Sequence, residues 1–568
     1  MHTDVSGWVT RLDDEAVGRY TRSGAWRGVT LADHAVREAE RVPDRVAVIE
    51  GGQSVTYGQV LSEAYRLVGA FNALGLQAGD VISFQLPNWI ETVAINVAAA
   101  LAGLIVNPIV PIYRESEVRY ILADSRARVF FIPEHFRSFD YPAMAQRLRP
   151  QLPVLREVVV VRGRAPGLHT YDELLALGGA ERATRNRTDA NAIKLVLYTS
   201  GTTGNPKGVL HSHNTIMSEI DAVIDYWGID SQDVVLMPSP VTHITGYLYA
   251  LEIAFAAGVK VVFMERWNAA EAVDLIARHG VTFSVGATPF LKELVAETEK
   301  RGLTLPSLRL FMSGGAPVPP ELIYRASKVL SGCLTFRVYG STEAPTVTLG
   351  IRSRVDADLG ATTDGRIVNH DVRICDPATG EVLSGSADGE ICTRGPEMML
   401  GYTDWQQTLE SFDADGYFHT GDLGHRVNDD FITVSGRKKD LIIRGGENIS
   451  PKEIEDVLHQ HPAIKEVAIV AMPHERMGET VCAFVIAQPG RTVDVPALAA
   501  YLEQAGLARQ KFPERVELVD DLPRTASGKV QKNVLRDRVA AVLRGEGGRE
   551  NGEGDKQRPL SPITGGEA

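Results

Sequence analysis

The segment "VKVVFMERWNAAEAVDLIARHGVTFSV", residues 259–285, joins two short apolar runs through a stretch with helical spacing. The flanking runs, "VKVVFM" and "VTFSV", are rich in β-branched and aromatic residues, which is typical of buried strands. The middle part, "NAAEAVDLIARHG", repeats apolar residues at the period of a helix and ends in glycine. A strand, a helix and a strand in this order predict a parallel sheet with helices on its faces.

The same alternation continues on both sides of this segment. The runs "IKLVLYTS", "DVVLMPS", "LRLFMSGG" and "TFRVYGSTE" are predicted strands. The runs "GYLYALEIAFAAG", "PFLKELVAETEKRG" and "PPELIYRASKVL" are predicted helices. The first 190 residues give a similar mixed set, with a helix predicted from Thr56 to Leu74, and are interpreted as a sister subdomain. The prediction is therefore an α/β fold with a large N-terminal domain of mixed and parallel sheets covered by helices.

The pattern changes near residue 436, where "DDFITVSGRKKDLIIRGGENISPKEIEDVL" puts strands, a charged joint and a Gly-Gly turn in quick succession. The sequence predicts a large domain over residues 1–436 and a small, mobile α+β domain over residues 437–545. Residues 546–568 have little apolar material to bury and are expected to be disordered.

Bulk properties exclude several classes of function. The chain has 568 residues, which suggests more than one domain, and its net charge of -13 without a long basic run argues against nucleic-acid binding. Four cysteines lie far apart and are interpreted as reduced core residues. The first 20 residues contain no apolar segment, so a cytoplasmic location is expected. The run "TVAINVAAALAGLIVNPIV" is interrupted by Asn96 and Asn107, which favours a buried helix and strand over a membrane span.

The loop within "LYTSGTTGNPKGVLHSH", residues 197–213, has the composition of a phosphate site but not the spacing of a Walker loop. Glycines free backbone N–H groups, several hydroxyls line the loop and Lys207 adds one ammonium, which together suit a triphosphate. A glycine- and threonine-rich surface turn is the alternative. Gly201, Gly314 and Gly340 each fall at the end of a predicted strand, where α/β sheets bind ligands.

Six motifs together resemble the adenylate-forming superfamily, which includes acyl-CoA and aryl-CoA synthetases, luciferases and adenylation domains of peptide synthetases. They are "YTSGTTGNPKGV" (198–209), "SGGAP" (313–317), "YGSTE" (339–343), "YFHTGD" (417–422), "GRKKDLIIRGGENI" (436–449) and "PRTASGK" (523–529). The resemblance implies that ATP activates a carboxylic acid as an acyl-adenylate with release of pyrophosphate. Transfer to CoA would then give the acyl-CoA and AMP.

The resemblance also implies roles for individual residues, although each alone also fits an ordinary structural position. Lys529 would be the catalytic lysine, Glu343 would hold Mg²⁺, Thr342 would contact the α-phosphate and Lys439 would be the hinge between domains. The other implied contacts of the ATP site are the phosphate loop (Thr199, Ser200, Gly201, Thr202, Thr203, Gly204, Lys207), the adenine pocket (Gly315, Ala316, Pro317, Tyr339) and the ribose pair (Asp422, Arg437). Gly445 and Gly446 would border the tunnel for the pantetheine arm of CoA.

The sequence indicates only the general class of the carboxylic acid substrate. Residues 239–249, "SPVTHITGYLY", contain no acid that could hold a substrate ammonium, so α-amino acids are disfavoured. This segment and "VGATPF" (285–290) are mainly apolar, which suits an aryl, cyclic or medium-chain acid. The amino-acid sequence of these segments most resembles that of cyclohexanecarboxylate-type and medium-chain acyl-CoA ligases. His243 could orient the carboxylate, gate the thiol path, or only form a packed wall.

The acceptor of the activated group also stays open. CoA is the leading expectation, ahead of a carrier-protein thiol. A third alternative is another nucleophile, as when relatives adenylate nitrite and pass it to an aryl amine.

Overall fold

A computed structural model describes residues 1–179, 188–199, 205–445, 447–524 and 529–544. The chain divides into two compact units. The first comprises Met1–Lys439 with Arg524–Lys529, and the second comprises Asp440–Pro523 with Val530–Ala568. The domain limits expected from the sequence, 1–436, 437–545 and 546–568, stay predictions, and residues 546–568 lie outside the described part of the chain.

The first unit contains a seven-stranded sheet that includes the strand–helix–strand segment of residues 259–285. Its strands, in spatial order, are Leu334–Arg337, Leu310–Ser313, Phe283–Gly286, Val234–Met237, Lys260–Phe263, Val46–Glu50 and Gln53–Thr56. All neighbouring pairs are parallel except the last, which is a hairpin. The helix Ala269–His279 connects Lys260–Phe263 to Phe283–Gly286 and crosses one strand on the way.

A second sheet of eight strands is mixed. Its order is His169–Thr170, Glu157–Val161, Ala127–Pro133, Val81–Phe84, Ile105–Pro108, Ile193–Thr199, Lys207–Ser212 and Gly401–Tyr402. The first six strands pair in parallel and the last two pair antiparallel to their neighbours. The fold class predicted from the sequence is therefore confirmed, with mixed and parallel sheets covered by helices.

A smaller antiparallel sheet follows in the chain. Its strands are Asp371–Cys375, Gly389–Arg394, Phe418–Val427 and Phe431–Arg437. Two short hairpins also belong to this unit, His2–Thr3 with Val9–Thr10 and His135–Phe136 with Phe139–Asp140.

Helices cover the two large sheets of the first unit. The α-helices are Asp14–Ser23, Leu31–Arg41, Tyr57–Ala73, Ile90–Ala102, Glu115–Asp124, Tyr141–Leu148, Tyr171–Leu177, His213–Trp227, Ile244–Gly246, Ile253–Ala256, Ala269–His279, Thr288–Arg301, Pro320–Val329, Ala357–Thr362 and Trp405–Ser411. A π-helix spans Tyr247–Glu252, and 3₁₀ turns span Arg149–Gln151 and Arg354–Asp356. A further 3₁₀ turn, Lys438–Asp440, contains the boundary between the two units.

The helix Ile90–Ala102 shows how the longest apolar run of the sequence is used. It is buried at almost every position and leads into the strand Ile105–Pro108. Both asparagines use their amide groups inside the protein, since Asn96 Nδ2 donates to Glu252 (2.9 Å) and Asn107 Nδ2 donates to Ser83 (2.9 Å). Within the described residues, no helix combines the length and apolarity that crossing a membrane requires.

The second unit is built on a five-stranded sheet with its own core. Glu447–Ile449, Ile442–Arg444, Gly478–Ala487 and Ile464–His474 are neighbours in that order, and Arg515–Leu518 pairs in parallel with Gly478–Ala487. The helices are Pro451–Leu458, Val495–Gln504 and Lys532–Leu543, with a 3₁₀ turn at Arg509–Lys511.

Candidate active site

Several candidate residues lie at one edge of the seven-stranded sheet. Tyr339 follows the strand Leu334–Arg337, Gly315–Pro317 follows the adjacent strand Leu310–Ser313, and His243 follows Val234–Met237. Because these strands are parallel, their carboxyl ends meet at the same edge, which is where α/β sheets bind ligands. The topology therefore brings together motifs that are far apart in the sequence.

The loop Tyr339–Glu343 is held close to the backbone that follows it. A Cβ on Gly340 would lie 2.0 Å from the carbonyl oxygen of Pro345, so only glycine fits there. The loop is also tied to Thr348, whose hydroxyl accepts from the Tyr339 backbone N–H at 2.8 Å. The position of Thr342 and Glu343 is thus fixed by backbone packing.

Asp422 is the centre of a buried hydrogen-bonded group and is itself only 5% exposed. The hydroxyl of Tyr339 donates to one carboxylate oxygen at 2.8 Å, and Arg437 Nε lies 2.8 Å from the other. Asp422 and Arg437 face each other across the strands Phe418–Val427 and Phe431–Arg437. Burial, with the negative charge of Asp422, raises the pKa of Tyr339 well above its ordinary value, so its hydroxyl keeps the proton.

Glu343 is positioned by a tyrosine that sequence reasoning missed. The hydroxyl of Tyr402 donates to Glu343 Oε1 at 2.9 Å, and Lys207 Nζ lies 5.0 Å from the centre of the Tyr402 ring. Burial and the charge of Glu343 raise the pKa of Tyr402. Tyr402 lies on a two-residue strand beside Lys207–Ser212, so only the strand pairing reveals its connection to the site.

His211 is a second missed residue. It is fully buried, and its Nε2 lies 2.8 Å from the backbone carbonyl oxygen of Thr342. Burial lowers the pKa of His211 to about 4, so the ring is neutral and Nε2 carries the proton donated to that carbonyl. Its Nδ1 lies 3.1 Å from the hydroxyl of Thr215. His211 thereby anchors the backbone at Thr342.

Lys529 belongs to the first unit and is half-buried. Burial lowers its pKa most, and the positive charges of Arg437 and Lys439 lower it further, whereas Asp422 and Glu343 oppose the shift. His243 is also half-buried, and burial, followed by the charge of Lys529, lowers its pKa to about 4. Its Nδ1 accepts from the backbone N–H of Thr245 at 3.4 Å.

The other expected contacts are distributed as follows. Thr199 ends a strand and pairs with Lys207, whereas Ser200, Gly201, Thr202, Thr203 and Gly204 lie outside the described residues. Gly315 has a φ of +76°, and the carbonyl of Pro317 accepts from the Thr288 hydroxyl at 2.9 Å. Ala316, between them, is half-buried.

The two positions expected at the pantetheine tunnel and the expected hinge lie near the boundary between units. Gly445 belongs to the second unit and has a φ of +59°, whereas Gly446 lies outside the described residues. Lys439 lies in the 3₁₀ turn Lys438–Asp440 and is the last residue before the chain enters the second unit. The assignment of all these site residues stays a prediction.

Two places in the described part of the chain offer donors for a metal ion. Glu343 provides carboxylate oxygens, the ligands that Mg²⁺ prefers, and a site with one carboxylate suits an ion whose other ligands are phosphates and water. Glu390, Cys392 and His419 have ligand atoms within 4.8 Å of one another. At this second place the ammonium of Lys438 lies 3.1 Å from Glu390 and burial raises the pKa of Cys392, so a cation is disfavoured.

Comparisons with known proteins give two matching family models and several similar proteins. The model of the AMP-binding enzyme family matches residues 35–403, and the model of the AMP-binding enzyme C-terminal domain matches residues 453–529. The medium-chain fatty-acid–CoA ligase of Escherichia coli (strain K12) is 34% identical over 531 residues, covering 92% of this chain and 93% of that protein.

A vibriobactin-specific 2,3-dihydroxybenzoate-AMP ligase of Vibrio cholerae is 32% identical over 545 residues, covering 95% of this chain and 98% of that protein. Among solved structures, ATP-bound MatB from Rhodopseudomonas palustris has a TM-score of 0.79 at 29% identity. That similarity covers 90% of this chain and 99% of MatB.

Proposed function

The chain belongs to the AMP-binding enzyme family, and from this premise we propose how its residues divide the work of an acid–CoA ligase. The enzyme is an adenylate-forming ligase of the acyl- or aryl-CoA type that uses ATP. The observation that supports the assignment of residues is the contact of Tyr339 and Arg437 with Asp422. The charges of Asp422, Arg437 and Glu343 also act on Lys529.

In the first step the carboxylate of the acid attacks the α-phosphorus of ATP. The bond from that phosphorus to the bridging oxygen of pyrophosphate breaks, and the acyl-adenylate forms. Negative charge then develops on the phosphoryl oxygens and on the departing pyrophosphate, so a fixed cation lowers the barrier. We assign that cation to Lys529 because it stands in the "PRTASGK" motif; Asp422 and Glu343 favour its charged form, although burial and Arg437 lower its pKa.

The nucleotide would be held by groups from three sheets. Asp422 would accept from the ribose hydroxyls, Tyr339 would stack on adenine, and Gly315 to Pro317 would line the base. Thr342 would contact the α-phosphate, and Lys207 with residues 199–204 would bind the β- and γ-phosphates. Mg²⁺ held by Glu343 would supply further neutralisation of phosphate charge.

In the second step the thiol of CoA attacks the acyl carbonyl, and AMP leaves. We propose that Lys439 is the hinge between the two steps and that Gly445 and Gly446 border the path of the thiol. Transfer to a carrier protein or to another nucleophile is not favoured by the comparisons. The cytoplasmic location expected from the sequence stays a prediction.

The acid is proposed to be an aryl, cyclic or medium-chain carboxylic acid. Residues 239–249 carry no acidic side chain to neutralise a substrate ammonium, and most side chains in that segment are buried. The name of the Escherichia coli relative, a medium-chain fatty-acid–CoA ligase, supports the same range. His243, neutral at physiological pH, would face the carboxylate without holding it as an ion.

The test is a screen of aryl, cyclic and medium-chain acids with Mg²⁺ and ATP, with and without CoA. We expect acid-dependent release of pyrophosphate, with AMP and a thioester appearing only when CoA is present. Lys529→Ala is the control that should lose acid-dependent pyrophosphate. Formation of ADP and orthophosphate in place of AMP and pyrophosphate would refute the proposal.

A further inference from the structure

Glu390 is a buried carboxylate that the proposed chemistry does not use. It lies on the strand Gly389–Arg394, and its side chain is 6% exposed. Its Oε1 accepts from the backbone N–H of Gly421 at 3.2 Å. Its Oε2 faces Lys438 Nζ at 3.1 Å and His419 Nδ1 at 3.3 Å. One carboxylate thus contacts both the strand Phe418–Val427 and the residue that follows the strand Phe431–Arg437.

Those two segments carry the ribose pair and the expected hinge. Gly421 directly precedes Asp422, and Lys438 directly follows Arg437 and precedes Lys439. Asp422 and Arg437 form one acid–base pair across the strands, and Glu390 and Lys438 form a second pair beside it. Glu390 therefore links the nucleotide-binding strand to the turn Lys438–Asp440.

The two partners of this second pair differ in their access to water. A buried carboxylate that loses its ammonium partner is left poorly solvated, which is costly. The Lys438 side chain is 44% exposed, so its ammonium can regain hydration when the contact breaks. The contact is therefore expected to bias the turn by an amount on the scale of one partly exposed ion pair.

We propose that Glu390 is a positioning residue that latches the hinge through Lys438, in the arrangement in which Lys529 packs with the first unit. The latch holds the residue directly before the hinge and favours adenylate formation over thioester formation. This inference rests on the proposed function, in which Lys529 serves the first step and Lys439 is the hinge.

The test measures the two steps separately in the full chain. Glu390→Gln keeps an acceptor for Gly421 but removes the charge, and Lys438→Met removes the ammonium. For each we expect acid-dependent pyrophosphate release in a single turnover to fall about fivefold, the scale of one partly exposed ion pair. Conversion of supplied acyl-adenylate and CoA to thioester should be unchanged or faster.

Three further variants distinguish loss of the Glu390–Lys438 contact from a nonspecific loss of activity. The double variant Glu390→Gln/Lys438→Met should match the single variants within about twofold, because partners in one contact are not additive. Lys438→Arg should remain near wild type. Asp388→Asn is the matched control, since Asp388 contacts His425 and Ser435 on the same two strands.

Equal loss of both steps in Lys438→Met, or multiplied losses in the double variant, would overturn the latch. A loss in Asp388→Asn as large as that in Glu390→Gln would overturn it as well. Absence of acid-dependent pyrophosphate release from the wild-type enzyme would instead refute the proposed function.

Discussion

At the scale of single residues, Asp422 has the most direct predicted effect on the nucleotide. Asp422→Ala should raise the KM for ATP by about tenfold or more and leave the KM for the acid nearly unchanged, since hydrogen bonds to a charged acceptor contribute about 1.5–3 kcal/mol each. Steady-state kinetics with each substrate varied in turn would measure this. Tyr339→Phe, which keeps the carboxylate and the ring, is the comparison. An unchanged ATP dependence in folded Asp422→Ala would remove this residue from the site.

A buried pair of glutamates gives a prediction about pH. Glu219 and Glu397 are at most 1% exposed, and Glu397 contacts His370 at 3.0 Å. Burial raises the pKa of Glu397 to about 8 from an ordinary value of 4.5. Between pH 4.5 and 8 the folded state therefore retains a proton on Glu397 that the unfolded state has lost. The contribution of this group to the free energy of unfolding declines as the pH rises through that range.

The measurable window for this effect is pH 6.5 to 8. Burial lowers the pKa of His370 to about 4, and that group adds stability only as pH rises from 4 to 6.5. Above pH 6.5 the unfolding free energy of the wild type should fall more steeply with pH than that of Glu397→Gln. Denaturant unfolding at several pH values would test it, and parallel curves would show that Glu397 does not carry the extra proton.

Single residues also show what the sequence could and could not predict about the site. Asp422, Glu343 and Lys529 stand in recognisable motifs, so the family resemblance was enough to single them out. Tyr402, His211 and Glu390 act through partners more than 25 residues away, at Glu343, Thr342 and Lys438. Such contacts depend on strand pairing between distant segments, which no local pattern specifies.

At the scale of elements, the loop after the strand Leu334–Arg337 is the most constrained. Gly340→Ala should lower kcat/KM for ATP by at least about tenfold, because the added methyl would displace the backbone that carries Thr342 and Glu343. Gly332→Ala is the matched control, since its Cβ would meet only the carbonyl oxygen of Pro306 at 3.8 Å. ATP kinetics and melting temperature should be recorded for both. Similar kinetics for the two variants would show that the loop tolerates the displacement.

Sequence predicts helices best where the spacing of apolar residues and the capping residues indicate the same limits. The helix expected from Thr56 to Leu74 is observed over Tyr57–Ala73, with Thr56 as its capping residue. The single helix expected over "GYLYALEIAFAAG" is instead a short α-turn, a π-helix and a second α-turn. The π-helix ends at Glu252, which is fully buried and pairs with Lys194 at 2.5 Å. That pair joins a helix to a distant strand, so the helical period could not indicate it.

At the scale of the whole molecule, the roles proposed for Lys529 and Lys439 predict that the two chemical steps can be separated. Lys529→Ala should reduce acyl-adenylate formation by at least about a hundredfold, the scale of losing one preorganised charge at the transition state. It should still convert supplied acyl-adenylate and CoA to thioester. Lys439→Pro should do the reverse, because proline fixes φ near -65° and prevents rotation at the turn.

Pyrophosphate release and thioester formation, assayed independently, measure this separation. The two variants act as controls for each other, provided that circular dichroism shows both to be folded. Equal impairment of both steps by both substitutions would contradict the assignment of Lys529, of the hinge, or of both.

The path of the chain through the two units has a consequence for how this enzyme can be cut or recombined. The chain leaves the first unit after Lys439, returns for Arg524–Lys529 and leaves again. A fragment ending at Lys439 would therefore keep Asp422, Glu343 and Tyr339 but lack Lys529. A chimera that takes residues 440–544 from a relative imports a foreign lysine segment along with them. On the role proposed for Lys529, exchange of modules at this junction would therefore test the first chemical step as well as the second.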